Sequence, residues 1–531
     1  MTKIIKIAEK EKTSNIKKLA KENLYNSTAQ SIIKIFDTKY FLLKLILSLY
    51  LIMATGLSSL LVVQSTLTYL SFQVFTTTTE IFETPTEFPT VTICNRNPFT
   101  TAFSLSVLKS TNNNSSMEVD LFDKEVIKNL TYNEYSTLIG KLKQLTLGEV
   151  NNNKFSNSDR LKLAHSQEDI IVSCVFNGKD CKKDIQSNFE KRYGNCLVFN
   201  SRMKVGQQNE ELKSSVFEGS DYGLKLTLYV NFYENLTTFN SLNALGVKVR
   251  IENISYLNDN FVNGIKVSPG QETDILIDRS FKFNLPKPYS PCEVDNYNPK
   301  RFDSFLYKLI LNSPLVYSQQ FCYLQCLQTI LVDECNCTDP RVKSLLNSSD
   351  CDTYEKIKCK DKVSEEFLFE EKYYFADKCI PLCPLECNFT DFKATVSTNK
   401  IIGDLFLKYI LEKKNLANDF LKRTLDAQTA AESFVKLNIF YKKMSYSLSI
   451  DTPKLDFVSF LAYIGGILGL FLGISVFSLF EIFIFLMEIY YTKKNGSVFM
   501  EATFSSRKHS IVALDTSRIR SLSFPNVLKQ L

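Results

Sequence analysis

Two long apolar runs stand out from an otherwise mixed pattern of apolar and polar positions. The first, Leu45–Val63, holds 19 residues without a charge and would span about 28 Å as a helix. The second begins at Phe457 and meets no charge until Glu481. Its mostly apolar character then resumes as far as Tyr491. Its uncharged part would span about 36 Å, more than the roughly 30 Å hydrocarbon core of a bilayer. The pattern predicts two membrane spans, the second of them tilted or broken.

The charges that flank these runs predict their orientation. Residues 1–40 carry nine lysines and four acidic residues, and residues 492–531 carry seven basic and two acidic residues. Each flank has a net charge of +5, so both termini are expected in the cytoplasm of a two-span plasma-membrane protein. The predicted segments are a cytoplasmic N-terminal segment (1–40), a first helix (41–68), an extracellular domain (69–454), a second helix (455–491) and a cytoplasmic tail (492–531).

The segment between the spans mixes strand and helix patterns, which predicts an α+β domain. Alternation of apolar and polar residues predicts strands in Gly223–Asn235, Gly246–Ser255 and Val435–Ile450. The Lys-, Leu- and Ala-rich stretch Lys400–Phe434 lacks proline and predicts one or two amphipathic helices.

Cysteines and glycosylation sequons also place this domain outside the cell. All 14 cysteines lie between Cys94 and Cys387, and their even number permits seven disulfides in an oxidising compartment. Their spacing alone leaves the pairing open. Asn-x-Ser/Thr sequons, which predict glycans, begin at Asn113, Asn114, Asn129, Asn235, Asn253, Asn336, Asn347 and Asn388.

Composition excludes several classes of function. A formal net charge of +6 over 531 residues is too small for a dedicated nucleic-acid binder. With two histidines and no recognisable nucleophile motif, neither an enzyme nor a zinc site is expected. No metal or other cofactor is predicted.

The second apolar run carries the residues that suggest a function. Gly465, Gly469 and Gly473 recur every four residues, a spacing that lets helices pack closely in membranes. Gly473-Ile474-Ser475 goes further, because glycine permits an unwound backbone whose carbonyl groups, with the serine hydroxyl, could replace the hydration shell of a cation. The triplet is therefore a candidate selectivity filter, and close helix packing is the alternative for the first two glycines.

Two acidic residues follow the candidate filter. Glu481 and Glu488 are seven positions apart and so share one face of a helix. A carboxylate facing lipid would cost a few kcal/mol, so both are expected to line a water-filled, cation-selective lumen. For Glu488, an ordinary charge at the membrane interface near a helix end is the alternative.

Five motifs together resemble the degenerin, epithelial sodium channel and acid-sensing ion channel superfamily. They are FPTVTICNRNPF (Phe88–Phe99), YGNCLVFN (Tyr193–Asn200), the run from YSQQFCYLQC to CNC (Tyr317–Cys337), CIPLCPLEC (Cys379–Cys387) and GGILGLFLGIS (Gly465–Ser475). Their order, the two spans and the total length agree with that superfamily.

The resemblance implies a trimeric, amiloride-sensitive channel of identical or related subunits, with Na⁺ as the permeant ion and membrane lipid around it. It also implies an extracellular domain with a palm sheet, a β-ball, a finger, a thumb and a knuckle. The implied disulfides are Cys94–Cys196, Cys174–Cys181, Cys292–Cys387, Cys322–Cys383, Cys326–Cys379, Cys335–Cys359 and Cys337–Cys351.

Single positions can be matched in the same way. Ala462 matches the degenerin position at the pore mouth. Gly469 matches the position that is linked to block by amiloride. Tyr69 and Tyr289 match an aromatic pair at the wrist between the extracellular domain and the membrane. The cytoplasmic His-Gly motif of the superfamily is replaced by Gln30-Ser31.

The stimulus that opens such a channel does not follow from these motifs. We rank an extracellular neuropeptide first and protons second. A disulfide-rich adhesion or receptor glycoprotein that does not conduct is the alternative, since it explains the cysteines and sequons but not the Gly-x-Ser triplet or the glutamate pair.

Overall fold

The computed structural model describes residues 39–473 except 116, 118, 202–211, 231–244, 254–263, 294–297, 299, 301, 314, 370–373, 402–403, 407 and 409–432, together with 480, 483–484, 486–487 and 490. These residues belong to two compact units. One is Val74–Pro453, called here the disulfide-rich domain, and the other is formed by the chain on either side of it and is called the two-helix unit.

The α-helices of the described residues are α1 (Phe41–Leu70), α2 (Ala102–Asn114), α3 (Lys124–Lys128), α4 (Tyr132–Glu149), α5 (Asn157–Leu161), α6 (Gln167–Ile170), α7 (Phe305–Leu311), α8 (Gln319–Cys335), α9 (Tyr354–Phe369), α10 (Tyr374–Lys378) and α11 (Phe457–Leu472). The strands are β1 (Val74–Phe82), β2 (Thr86–Glu87), β3 (Thr90–Asn95), β4 (Ile171–Phe176), β5 (Lys179–Asp180), β6 (Ile185–Glu190), β7 (Gly194–Phe199), β8 (Ser214–Ser215), β9 (Leu224–Tyr229), β10 (Val247–Glu252), β11 (Ile265–Val267), β12 (Gln271–Phe283), β13 (Cys292–Glu293), β14 (Leu385–Glu386), β15 (Asn388–Lys400) and β16 (Phe434–Pro453).

The larger sheet of the disulfide-rich domain has the strand order β15-β12-β16-β9-β4-β5, with β1 also paired to β16. Its two longest central strands, β12 and β16, run parallel to each other. Alternate residues of β12 are buried, among them Ile275 and Ile277, and so are Leu437 and Ile439 of β16. This alternation is the period-2 signal that predicts strands, and β9, β10 and β16 lie in the three stretches where it occurs.

The second sheet has the order β11-β10-β3-β7-β6. One face of it, including Val91, Leu197 and Val249, shares a single hydrophobic core with the larger sheet. Phe88 sits in that core, with its ring centroid 5.0 Å from that of Phe176 and 6.0 Å from that of Tyr441. The two sheets are thus the rigid centre of the domain.

Seven disulfides close the domain, and the pairs are those that the resemblance implies: Cys94–Cys196, Cys174–Cys181, Cys292–Cys387, Cys322–Cys383, Cys326–Cys379, Cys335–Cys359 and Cys337–Cys351. Cys322 and Cys326 are four residues apart on α8, so both face the segment that carries Cys383 and Cys379. All 14 cysteines of the chain are used.

The predicted helical stretch Lys400–Phe434 lies almost wholly outside the described residues. Where it is described, Lys400 ends β15, residues 404–406 form a helical turn and Phe434 begins β16. The two bounding residues therefore belong to strands, because each pairs with a neighbour in the larger sheet.

Helix α4 packs closely against the loop closed by Cys337–Cys351. A β-carbon at Gly148 would collide with the carbonyl oxygen of Cys351 and lie 3.1 Å from the Cα atom of Asp352. We expect Gly148→Ala to lower the free energy of unfolding by about 1–3 kcal/mol, since backbone must move to make room. Thermal unfolding of the full-length protein in detergent measures this.

The same helix supplies a matched control. A β-carbon at Gly140 meets nothing within 4 Å. Gly140→Ala should therefore leave the melting temperature unchanged or raise it, because alanine favours a helix over glycine by up to about 1 kcal/mol. Equal melting temperatures for the two variants would contradict the close contact at Gly148.

Candidate functional site

The candidate site lies on α11, the start of the second apolar run. Asp456 caps this helix, its Oδ1 accepting a hydrogen bond from the backbone N–H of Ser459 at 3.3 Å. The helix ends at Leu472 and is about 24 Å long, shorter than a bilayer core. Among the helices that the structure describes, α1 alone has the length and composition to cross a membrane. The helix α11 thus ends within the second apolar run, and a second membrane span remains a prediction.

Gly473 ends α11 in the left-handed conformation, with φ of 69° and ψ of 19°. Its N–H donates to the carbonyl oxygen of Gly469 at 3.1 Å. A residue with a β-carbon pays roughly 1–2 kcal/mol for this conformation, so the turn favours glycine. The backbone therefore leaves the helix at the first residue of the candidate filter. Ile474 and Ser475 lie outside the described residues, as do Glu481 and Glu488.

The two faces of α11 differ sharply. Ile467 is 8% exposed, and Phe460 stacks on Tyr69 of α1 with ring centroids 4.5 Å apart. This face packs against α1. The opposite face is formed by small residues at positions i, i+3, i+4 and i+7, all exposed: Ala462, Gly465, Gly466 and Gly469. The face of α11 turned away from α1 is thus smooth enough for a close approach by another chain.

Contacts at one end of α1 and α11 join the chain segments that lead into them. The N–H of Lys454 donates to the carbonyl oxygen of Gln73 at 2.8 Å, and its ammonium group lies 2.8 Å from Gln73 Oε1. Along α1 the buried side chains are small: Ala54, Ser58 and Ser65. Small side chains let two helix backbones approach each other.

The remaining predicted positions are distributed over both units. Tyr69 lies near the end of α1, and the structure gives it Phe460 as its stacking partner, which sequence reasoning missed. Tyr289 lies in the disulfide-rich domain, where its N–H donates to the carbonyl oxygen of Pro286 at 3.0 Å. A wrist contact between the two tyrosines remains a prediction.

The sequons mostly occupy accessible positions, although the structure does not test whether they carry glycans. Exposed asparagines are Asn113, Asn114, Asn129, Asn336, Asn347 and Asn388. Asn253 is half-buried, and Asn235 lies outside the described residues.

Comparison with known proteins gives one family match. The sequence pattern of the family described as amiloride-sensitive sodium channel matches residues 24–485. The chain is 26% identical to degenerin mec-10 of Caenorhabditis briggsae over 342 residues, which cover 63% of this chain and 43% of that protein. It is 25% identical to acid-sensing ion channel 2 of Homo sapiens over 460 residues, which cover 84% and 82%.

A third relative is the epithelial sodium channel subunit gamma of Oryctolagus cuniculus, which is 27% identical over 337 residues. The match covers 61% of this chain and 47% of the subunit. The chain therefore spans less than half the length of this subunit and of the degenerin. The family consists of ion channels and not of enzymes. Because the family pattern covers most of the chain, from before α1 to beyond α11, this protein belongs to the amiloride-sensitive sodium channel family.

Proposed function

We propose that this chain is the pore-forming subunit of a trimeric, sodium-selective, amiloride-sensitive channel in the plasma membrane. It would cross the membrane twice, with both termini in the cytoplasm and the disulfide-rich domain outside. Copies of this chain, or this chain and related subunits, form the trimer. The observation that carries the proposal is that α11 ends at Gly473, directly after a helix face of small residues that is turned away from α1.

The proposed chemistry rests on the carbonyl groups at the end of α11. The last turn of a helix leaves carbonyl oxygens without helical partners. When three copies of the helix surround an axis, these oxygens and the Ser475 hydroxyls form a narrow ring that replaces the water around Na⁺. The carboxylates of Glu481 and Glu488 lie further along the chain and raise the local cation concentration. The permeant Na⁺ is the only ion involved, and no cofactor takes part.

Gating is the second part of the proposal. We take an extracellular peptide as the first candidate stimulus and protons as the second, because the disulfide-rich domain offers a large folded surface outside the membrane. Concentration jumps with a panel of peptides, and separate acid steps, on cells that express the chain distinguish the two. If neither stimulus evokes a current, while an Ala462→Phe channel that is held open at its mouth does conduct, both candidate stimuli are rejected.

Cysteine accessibility tests conduction itself. Because every native cysteine is in a disulfide, an introduced cysteine is the only free thiol. We expect a charged methanethiosulfonate reagent to block more than half of the sodium current of Gly469→Cys channels, whose altered side chain faces the pore. Whole-cell recording before and after the reagent measures the block.

Ile467→Cys is the matched control, since Ile467 lies two residues away on the face that packs against α1. Its current should be unaffected by the reagent. Equal modification of the two variants, or no current from any variant despite surface expression, would favour a non-conducting glycoprotein.

A further inference from the structure

The outer face of the smaller sheet carries three basic side chains on β10 and β11, one of which, Arg250, is paired with Glu252 at 3.0 Å. In β10, Val247 and Val249 point into the shared core, so the alternate residues Lys248 and Arg250 lie on the opposite face. Lys266 occupies the same face of the neighbouring strand β11. Lys248 is nevertheless only 7% exposed, so its charge is largely removed from solvent.

Strand register places two of these charges directly opposite each other. In the antiparallel pairing of β10 with β11, Lys248 faces Lys266. Like charges at directly opposed positions destabilise a sheet. Positions at which a local rule is broken are expected to be functional or strained.

A cavity of about 490 Å³ lies over this basic face. One wall is formed by a single face of α4, at positions i, i+3, i+4 and i+7: Gly140, Lys143, Gln144 and Leu147. Six basic side chains line the cavity, and no carboxylate is among its described lining residues: Arg96, Lys143, Arg192, Lys248, Lys266 and Arg341. A volume of this size suits a small organic ligand.

Tyr193 also lines the cavity and packs against the Cys94–Cys196 disulfide. The guanidinium of Arg192 lies 5.7 Å from the centroid of its ring, and the ammonium of Lys248 lies 5.6 Å from it. The ammonium nitrogen of Lys248 is also 3.4 Å from the tyrosine hydroxyl. The disulfide and the ring thus fix two of the cations in place.

The cations are held at an electrostatic cost. Burial lowers the pKa of Lys143 to about 8. Burial also lowers the pKa of Lys248, and the charges of Arg192, Lys266 and Arg96 lower it further. Arg341 differs, because Asp339 accepts hydrogen bonds from its Nε and Nη2 at 3.0 and 2.7 Å. Arg341 is therefore paired with a carboxylate of the same chain.

We propose that this cavity binds a small polyanion that carries phosphate groups. Arginine and lysine together suit phosphate, the first through paired hydrogen bonds and the second as a point charge. A ligand with several negative charges relieves the repulsion between Lys248 and Lys266. The proposal goes beyond conduction and does not depend on it, because the cavity lies within the disulfide-rich domain.

Titration calorimetry of the full-length protein in detergent, with inorganic tripolyphosphate as the probe, tests the proposal. We expect saturable binding that weakens as salt is added. Lys266→Glu should weaken it at least tenfold, and Lys266→Arg should restore most of the affinity. Lys179→Glu makes the same charge change at an exposed position of β5 and should leave the affinity unchanged.

Two further measurements separate binding from a structural role. Without ligand, Lys266→Gln should keep or raise the melting temperature, since it removes a repulsion, whereas a structural lysine would lower it. A nucleoside triphosphate that binds more tightly than tripolyphosphate would identify the Tyr193 ring as a stacking surface, and citrate should bind at least tenfold more weakly than tripolyphosphate. Absence of tripolyphosphate binding, tighter binding of citrate, or equal losses for Lys266→Glu and Lys179→Glu would overturn the proposal.

Discussion

Replacing Gly473 with valine should reduce the sodium current at least tenfold while leaving the protein at the cell surface. The left-handed turn at φ of 69° is strained for any residue with a β-carbon and most of all for a branched one. The strain should move the carbonyl oxygens at the end of α11, where the proposed filter begins, and a shift of about 1 Å is enough to spoil a coordination ring. Whole-cell current, normalised to surface-labelled protein, measures the effect.

Gly56→Ala is the control for this prediction. Gly56 lies in α1, where a β-carbon meets nothing within 4 Å, so the change should leave current and surface expression as they are. A Gly473→Val channel with normal current would show that the left-handed turn does not shape the filter.

Replacing Asp339 with asparagine should lower the free energy of unfolding by about 3–5 kcal/mol, because it removes the buried carboxylate from a group of charges that includes the buried Lys360. Asp339 is 4% exposed, and its N–H donates to Gln328 Oε1 at 2.8 Å. Besides its two hydrogen bonds from Arg341, its carboxylate lies 3.8 Å from the ammonium nitrogen of Lys360, which is fully buried. Without the carboxylate, the half-buried Arg341 loses the acceptor of its two hydrogen bonds, and the buried Lys360 keeps only the carboxylate of Asp361 nearby.

The same group of charges makes stability depend on pH. Burial alone would raise the pKa of Asp339, but the hydrogen bonds from Arg341 and the charges of Arg341 and Lys360 outweigh it and lower the pKa from 3.8 to about 2. A carboxyl whose folded pKa is depressed stabilises the fold above its unfolded value. This contribution should therefore be complete at neutral pH and be lost as the pH falls from 3.8 through about 2.

Thermal unfolding of the full-length protein across this pH range checks both statements. As the pH falls, the melting temperature of the wild-type protein should decrease more steeply than that of Asp339→Asn. The two curves of melting temperature against pH should therefore converge at low pH. Asp303→Asn is the control, because the Asp303–Lys308 pair is exposed to solvent and its loss should change little. Parallel curves for wild type and Asp339→Asn would contradict the pKa shift.

Local patterns in the sequence were enough to predict several elements of the structure. Alternation along β9, β10 and β16 is a property of each segment by itself, and so is the uncharged run Leu45–Val63 within α1. The helical spacing of Cys322 and Cys326 likewise places both on one face of α8. The pairing of all fourteen cysteines, by contrast, came from the resemblance to a family, because spacing alone permits many pairings.

The basic cavity could not have been predicted in the same way. Its cations come from the residue after β3, the turn before β7, β10, β11, α4 and the loop that carries Arg341, and nothing local to one segment indicates that they meet. The stacking of Phe460 on Tyr69 has the same origin, since the two residues are 391 positions apart. Such contacts depend on how distant segments align.

By itself, then, the sequence determined two apolar runs, a cysteine-rich segment between them, and a glycine where the second run must turn, because periodicity, charge and conformational preference act within a few residues. Only the tertiary structure decided which face of α11 turns away from α1, which lysines oppose each other across β10 and β11, and which acid neutralises Arg341. Those arrangements follow from strand register and helix packing, which are set by the burial of side chains from many segments at once.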